Sequence, residues 1–182
     1  MPPDYPRLSF RIGGSIGSEN ENALRRALVD ENHDPRLALA LLLNVVYGIR
    51  VHRIAALKLT DLSVSGGAAR IQLGSVGLDL PPVATSWVEI ILSGKIDKRR
   101  FGGAAHDNTW IFPGYQHGSH QLASSLAARL KNLGAKPAVA HQASSAAIIT
   151  QVPPAVTARI LGISITTAAH WHKLTGDAPA MR

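Results

Sequence analysis

The segment that most restricts the possible folds is a long apolar run, Leu37 to Tyr47. Asp34 and Pro35 precede it and are typical of a helix N-terminus, with the carboxylate as cap and the proline in the first turn. Because its residues are apolar on nearly every side, this helix is expected to lie at the centre of a core and to end near Gly48. The run is interrupted by Asn44 and is too short to span a membrane.

The remaining pattern predicts helices, then a small sheet, then more helices. Gly66-Gly67 is a turn signal between short alternating runs, so residues 63–82 predict a β-sheet or hairpin that Pro81-Pro82 ends. Trp110 and Phe112 are expected in the core. Further helices are expected over residues 19–30, 51–57, 83–93, 119–133, 138–150, 154–161 and 165–174. This order predicts an α+β domain that is mainly α.

Length and composition narrow the classes further. With 182 residues, one domain over residues 19–182 is expected, preceded by an arm or linker over residues 1–18 that is rich in Pro, Gly and Ser. The absence of cysteine excludes disulfides and thiolate metal sites. The eight histidines form no pattern of metal ligands, so neither a metal nor another cofactor is predicted. The N-terminus lacks the features of a signal peptide, which makes a cytoplasmic protein the default expectation.

The net charge of +7 is concentrated in the second half of the chain. Residues 1–94 contain nine Lys/Arg and nine Asp/Glu, whereas residues 95–182 contain ten Lys/Arg and only three Asp. This asymmetry favours a polyanionic partner, because neutralised phosphates release counterions. Double-stranded DNA is the expected partner, with a place on the nucleoid. The expected phosphate contacts include Lys98, Arg99 and Arg100 of a basic loop and Arg129 and Lys131 of the following helix.

Two motifs resemble the tyrosine recombinase (phage integrase) family. The first is YGIRVHRIAALKLTD, residues 47–61, which follows the long apolar helix as in that family. The second is WIFP, residues 110–113, which resembles the family's Leu-Phe-Pro segment. The ending Leu-Gly-Ile…Thr-Thr-Ala…Trp over residues 161–171 is similar to degenerate integrase-like proteins of actinobacteria. The resemblance spans about residues 20–175 and implies the fold of the recombinase catalytic domain.

The resemblance carries over only part of the family's chemistry, in which a Tyr attacks a DNA phosphate while Arg, Lys and His side chains neutralise the charge. Arg50 matches the first arginine and His141 is retained. Ser144 stands in place of the second arginine, and Ile163 in place of a histidine. The family also has a lysine in the β-hairpin, and no residue of this sequence matches it. His170 occupies the nucleophile position, and no Tyr follows Tyr115.

These losses imply a recombinase-like DNA-binding module without strand cleavage, with Arg50, His141 and His170 as remnants of the catalytic site. Two alternatives remain open. One is an active site-specific recombinase with an atypical nucleophile, and the other is a protein-interaction module that regulates an intact recombinase. Association with itself or with a recombinase on DNA is compatible with either. For Arg50, a role in binding phosphate competes with a structural ion pair to Asp61.

Residues 154–173 also fit a helix-turn-helix pattern. Ala158 would let two helices approach, Gly162 would make the turn, and Trp171 would pack the second helix. The second helix would then present four polar residues to DNA: Thr166, Thr167, His170 and Lys173. Two packed helices with a tight glycine turn are the structural alternative.

Overall fold

The computed structural model describes residues 18–29, 33–94, 109–116 and 118–176. Within these ranges the chain forms α1 (Ser18–Val29), α2 (Pro35–Val45), α3 (Val51–Ala55), a 3-10 turn (Leu59–Asp61), β1 (Leu62–Ser65), β2 (Ala68–Leu73), β3 (Val76–Asp79), α4 (Val83–Leu92), α5 (Ala123–Asn132), α6 (Pro137–Gln151), α7 (Pro154–Leu161) and α8 (Ile165–Gly176). The expected α+β architecture with mainly helical content is confirmed.

Helix α2 is the centre of the core, as its sequence predicts. Every residue from Arg36 to Val45 is buried, and α1, α4, α5, α6 and the short α3 all pack against this helix. The Asp34 carboxylate accepts a hydrogen bond from the backbone N–H of Arg36 at 3.0 Å and so caps the N-terminus. A helix enclosed in this way fixes the positions of the segments that leave it, including the turn that leads to α3.

The sheet is a three-stranded antiparallel meander in the order β1-β2-β3. Ile71 is completely buried on the central strand and lies opposite Leu62 on one side and Leu78 on the other. At the end of α2, the Tyr47 hydroxyl donates a hydrogen bond to the backbone carbonyl of Asp79 at 3.1 Å. Burial, with a smaller contribution from the Asp79 charge, raises the pKa of Tyr47 to about 12.

Two expectations for the region after the sheet were wrong. Helix α5 begins at Ala123 and not at residue 119, because the N–H of Gln121 donates to the Phe112 carbonyl at 2.7 Å and holds the chain extended. Phe112 lies in the core, but Trp110 is only half-buried. The Trp110 indole donates to the Gly118 carbonyl at 2.9 Å, and the Lys58 ammonium lies 5.4 Å from its ring centroid.

Helices α7 and α8 form a pair joined by a tight turn. Gly162 ends α7 with a left-handed φ of 68°, a conformation that glycine adopts without steric penalty. The Ser164 hydroxyl accepts a hydrogen bond from the backbone N–H of Thr167 at 3.1 Å and thereby caps α8. None of the helices in the described ranges is long and apolar enough to cross a membrane.

Candidate nucleic-acid interface

Arg50 and His141 meet although they lie 91 residues apart in the sequence. The Arg50 Nε–H donates to His141 Nε2 at 3.0 Å, so two of the residues expected as remnants of the catalytic site lie together, while their role in binding remains a prediction. The alternative ion pair between Arg50 and Asp61 was wrong. Asp61 instead accepts a hydrogen bond from the backbone N–H of Lys58 at 2.8 Å, which closes the 3-10 turn.

Three backbone carbonyls at the turn that presents Arg50 are bonded by side chains. Helix α2 ends at Val45 and α3 begins at Val51, so the intervening carbonyls have no helical partners. Two of the donors come from α6 and one from α2 itself. The pairs are Ser144 Oγ to the Val45 carbonyl, His141 Nδ1 to the Gly48 carbonyl at 2.5 Å, and Asn44 Nδ2 to the Ile49 carbonyl at 3.0 Å. Satisfied carbonyls fix the backbone from which the Arg50 side chain leaves.

The same turn packs directly on the backbone of α6. Gly48 has a φ of 61°, and a Cβ at this position would lie 3.1 Å from the Ser145 nitrogen and 3.2 Å from the Ser144 Cβ. Glycine is therefore required here both for its backbone conformation and for the close approach of the helix. Ser144 is only 4% exposed, so the position that matches the second arginine of the family faces the protein interior.

A second arginine of α3 has a different environment. Arg53 is half-buried, and its Nη1 donates to the Ile160 carbonyl in the last turn of α7 at 2.5 Å. A Cβ on Gly162 would lie 2.7 Å from the same nitrogen, so the guanidinium packs against the α7–α8 turn. Burial lowers the pKa of Arg53. Sequence reasoning missed this contact, because a bond between residues 107 positions apart has no local signal.

The outer surface of α8 carries most of the polar residues that were expected there. Thr166, His170 and Lys173 are exposed, and Trp171 packs against the core. Thr167 is half-buried, however, and its hydroxyl lies 2.7 Å from the Ser164 hydroxyl in the cap of the helix. The Thr166 hydroxyl lies 2.8 Å from that same oxygen. Thr167 therefore contributes to the cap and is not turned fully outward.

The basic residues outside the turn differ in their availability. Arg129 donates to Asp34 Oδ2 at 2.9 Å and to Gln121 Oε1 at 3.3 Å, so α5 is tied to the cap of α2. Lys131, on the same helix, is exposed. The predicted contacts Lys98, Arg99 and Arg100 lie outside the described residues. Lys131 is thus more open to a ligand than Arg129, whose charge already has a carboxylate partner.

Across the described part of the chain, no group of three or more His, Cys, Asp or Glu residues is arranged to hold a metal ion. Among the histidines, His117 lies outside the described residues. His172 Nε2 lies 3.3 Å from the Thr157 hydroxyl, inside the α7–α8 pair.

The fold is that of tyrosine recombinases. No known protein family and no curated protein matches the sequence. Among solved structures, XerA recombinase matches with a TM-score of 0.57 and 15% identity over 93% of this chain and 61% of its own. XerH site-specific recombinase in a post-cleavage complex with palindromic difH substrate matches with a TM-score of 0.57 and 16% identity over 87% of this chain and 48% of its own. The same recombinase in a pre-cleavage complex with difH substrate matches with a TM-score of 0.55 and 17% identity over 97% of this chain and 54% of its own. The chain thus spans about half to three fifths of these recombinases and shares the fold of a tyrosine-recombinase catalytic domain.

Proposed function

We propose that the chain is a recombinase-like module that binds the phosphate backbone of duplex DNA and does not cleave it. The observation that carries the proposal is the state of the two arginine positions. Arg50, at the first, is exposed and held by a neighbouring histidine. Ser144, at the second, is buried and hydrogen-bonded to the carbonyl of Val45. One guanidinium can bind a phosphate, but Ser144 brings no second positive charge to stabilise a transferring phosphoryl group.

The charge distribution and the solved neighbours support DNA as the ligand. All of the net charge of +7 lies in residues 95–182, and XerH was solved with its DNA substrate. The binding surface that we propose combines the α2–α3 turn with the basic loop and with the outer surface of α8, where the α7–α8 pair would act as a helix-turn-helix. Three further residues, Arg129, His141 and Thr167, would support this surface through their bonds to other protein groups. The proposed direct contacts with DNA are Arg50, Lys98, Arg99, Arg100, Lys131, Thr166, His170 and Lys173.

A salt titration tests binding. A chain that contacts about four to six phosphates should lose affinity for a duplex with a log–log slope near −0.9 per phosphate. Neutralising Lys98, Arg99 and Arg100 together should flatten the slope by about three contacts. Neutralising Arg25, which forms an exposed ion pair with Glu21 on α1, is a control that removes one charge outside the proposed surface and should leave the slope unchanged. No measurable affinity at low salt would contradict DNA binding and favour a protein partner, such as an intact recombinase.

A nicked substrate that traps covalent intermediates tests the absence of cleavage. The residue at the nucleophile position is His170, and its side chain is exposed on α8. No adduct that survives denaturant is expected. An adduct that disappears in His170→Ala and persists in Tyr115→Phe would overturn this part of the proposal and assign a histidine nucleophile. Because binding and trapping are measured separately, either can fail alone.

A further inference from the structure

We propose that His141 is a positioning residue. In its neutral form, with the proton on Nδ1, it would hold the Arg50 guanidinium by its Nε edge, so that the two terminal nitrogens face a phosphate. The imidazole would therefore act through Arg50 and would not contact the phosphate. This inference rests on the proposed function for its ligand, but the state of the imidazole is a property of the free protein.

The hydrogen bonds determine where the imidazole proton lies. Arginine remains protonated in proteins, so the Arg50 Nε–H is a donor and His141 Nε2, at 3.0 Å, must be an acceptor. In a neutral imidazole the other nitrogen then carries the proton. His141 Nδ1 lies 2.5 Å from the Gly48 carbonyl, which is only an acceptor, so it donates there. The Ser145 hydroxyl, at 3.2 Å, is a second neighbour of the same nitrogen.

Both ring nitrogens are thus engaged within the protein. For His141 to donate to a phosphate, Nε2 would have to carry a proton while the Arg50 Nε–H points at it from 3.0 Å. Two donors would then face each other, and if Nδ1 kept its proton for the Gly48 carbonyl, two positive charges would as well, which is unfavourable at this separation. The observed geometry therefore favours an imidazole that accepts a hydrogen bond from Arg50 and does not donate one to a phosphate.

The position of Arg50 leaves one defined edge for the ligand. A guanidinium has five N–H donors, and the Nε–H is used by His141. Among the described residues, the terminal nitrogens of Arg50 have no hydrogen-bond partner, and the side chain is exposed. With Nε occupied, a phosphate would bind end-on, across Nη1 and Nη2, in the bidentate geometry that arginine forms with phosphate oxygens. The carbonyl bonds of the α2–α3 turn hold the backbone of this arginine in place before any ligand arrives.

Nitrogen NMR on the isotopically labelled full chain tests the imidazole without any DNA. The expected result is the neutral Nδ1–H tautomer of His141, with a scalar coupling between Arg50 Nε and His141 Nε2 across the hydrogen bond. An Nε2–H tautomer or a doubly protonated ring at neutral pH would overturn the proposal. Because no ligand is present, this outcome is independent of whether the chain binds DNA.

Two substitutions of equal polarity separate positioning from the alternatives. In His141→Gln the amide oxygen lies as many bonds from the backbone as Nε2, so it can still accept from Arg50. In His141→Asn the amide reaches only the Nδ1 position, so it keeps the bond to the Gly48 carbonyl and loses the one to Arg50. The probe is a 20-base-pair duplex of arbitrary sequence at about 0.1 M salt.

The expected result is that His141→Gln binds within about twofold of the wild type. His141→Asn should lose about tenfold, as Arg50→Ala should, because one phosphate contact contributes about that factor at this salt concentration. Equal retention by both variants would make His141 purely structural and would overturn the proposal. Equal loss by both would show that an acceptor at the Nε2 position is not what holds Arg50 and would also overturn it. A wild type without affinity would refute the proposed function, while the NMR result would still decide the state of His141.

Discussion

Arg50 and Arg53 lie three residues apart around the short helix α3, yet their environments differ. Arg50 is exposed and is bonded only through Nε among the described residues. Arg53 is half-buried and is bonded through a terminal nitrogen to the Ile160 carbonyl. One guanidinium thus presents its terminal edge to solvent, whereas the other uses that edge inside the protein.

The difference shows that two arginines only three residues apart can have different roles in this chain. Arg53 stabilises the C-terminal end of α7, where backbone carbonyls lack partners and the helix dipole favours a cation. Arg50 has no comparable structural partner for its terminal nitrogens in the described ranges. Substitutions at the two positions should therefore separate stability from binding, and the predictions below start from this contrast.

The largest effect on stability is expected for Arg53→Ala. Removing a charged donor from a half-buried carbonyl should reduce the free energy of unfolding by about 1.5–3 kcal/mol. Arg50→Ala should change it by no more than about 0.5 kcal/mol, since its side chain is exposed. Urea denaturation of both variants checks this pair. Equal losses of stability would show that the two arginines do not have separate roles.

The next effect concerns the glycine against which Arg53 packs. Gly162→Ala should lose about 1–3 kcal/mol, because alanine is strained at a left-handed φ and its Cβ would displace the Arg53 guanidinium. Gly74→Ala is the matched control, with a φ of 64° and no atom within 4 Å of a Cβ. Thermal or urea unfolding should give the larger loss at Gly162. The excess should disappear when both variants are made in an Arg53→Ala background; if it persists, Arg53 is not its source.

Unfolding at alkaline pH measures how much Tyr47, which precedes the two arginines in the sequence, contributes to stability. The pKa of Tyr47 is raised to about 12 in the folded protein, against about 10 when unfolded, so the native state holds the phenolic proton more tightly. Its contribution to stability is complete below pH 10 and is lost as the pH rises through 12. By pH 11 the loss should be about 1.4 kcal/mol. Unfolding measured from pH 8 to 11 should show this decline in the wild type. If Tyr47→Phe shows the same decline, the source lies elsewhere.

The smallest effect is expected for Arg129, which resembles Arg53 in having a structural partner. Its ion pair with Asp34 is partly exposed, so Arg129→Ala should reduce stability by about 0.2–1 kcal/mol. Lys131→Ala is the control on the same helix and should leave stability unchanged. In the salt titration, Lys131→Ala should flatten the slope more than Arg129→Ala. The reverse order would indicate that Arg129 leaves Asp34 to bind phosphate.

The order of elements was predictable from the sequence because each has a strong local signal. The apolar run of α2, the Gly66-Gly67 turn and the Pro81-Pro82 pair predicted the order of helices and strands to within a few residues. The start of α5 was missed, since the bond between Gln121 and Phe112 is a tertiary contact without a local pattern. Trp110 was misplaced because an aromatic residue beside Phe112 indicates burial, whereas its neighbour is the Lys58 ammonium.

The candidate site was predictable only as far as the resemblance reached. The resemblance assigned Arg50 and His141 to one catalytic site, but it did not give the direction of their hydrogen bond, which depends on the Gly48 carbonyl. Ser144 was noted as the loss of an arginine. In the structure Ser144 also has a stabilising role, since its hydroxyl donates a hydrogen bond to the Val45 carbonyl. Side-chain bonds to the backbone across about 100 residues leave no periodicity that sequence reasoning could detect.

Several hydrogen bonds join residues that are far apart in the sequence, and this separation affects how the chain folds during synthesis. The contacts of Arg50 with His141, Arg53 with Ile160, and Asn20 with the N–H of Lys136 span 91, 107 and 116 residues. A ribosome must therefore translate most of the chain before α2 acquires α6 as a cover. Such non-local contacts slow folding and leave apolar surface exposed in the meantime. The part of the α2 surface that α6 covers should accordingly stay exposed until the residues of α6 have emerged.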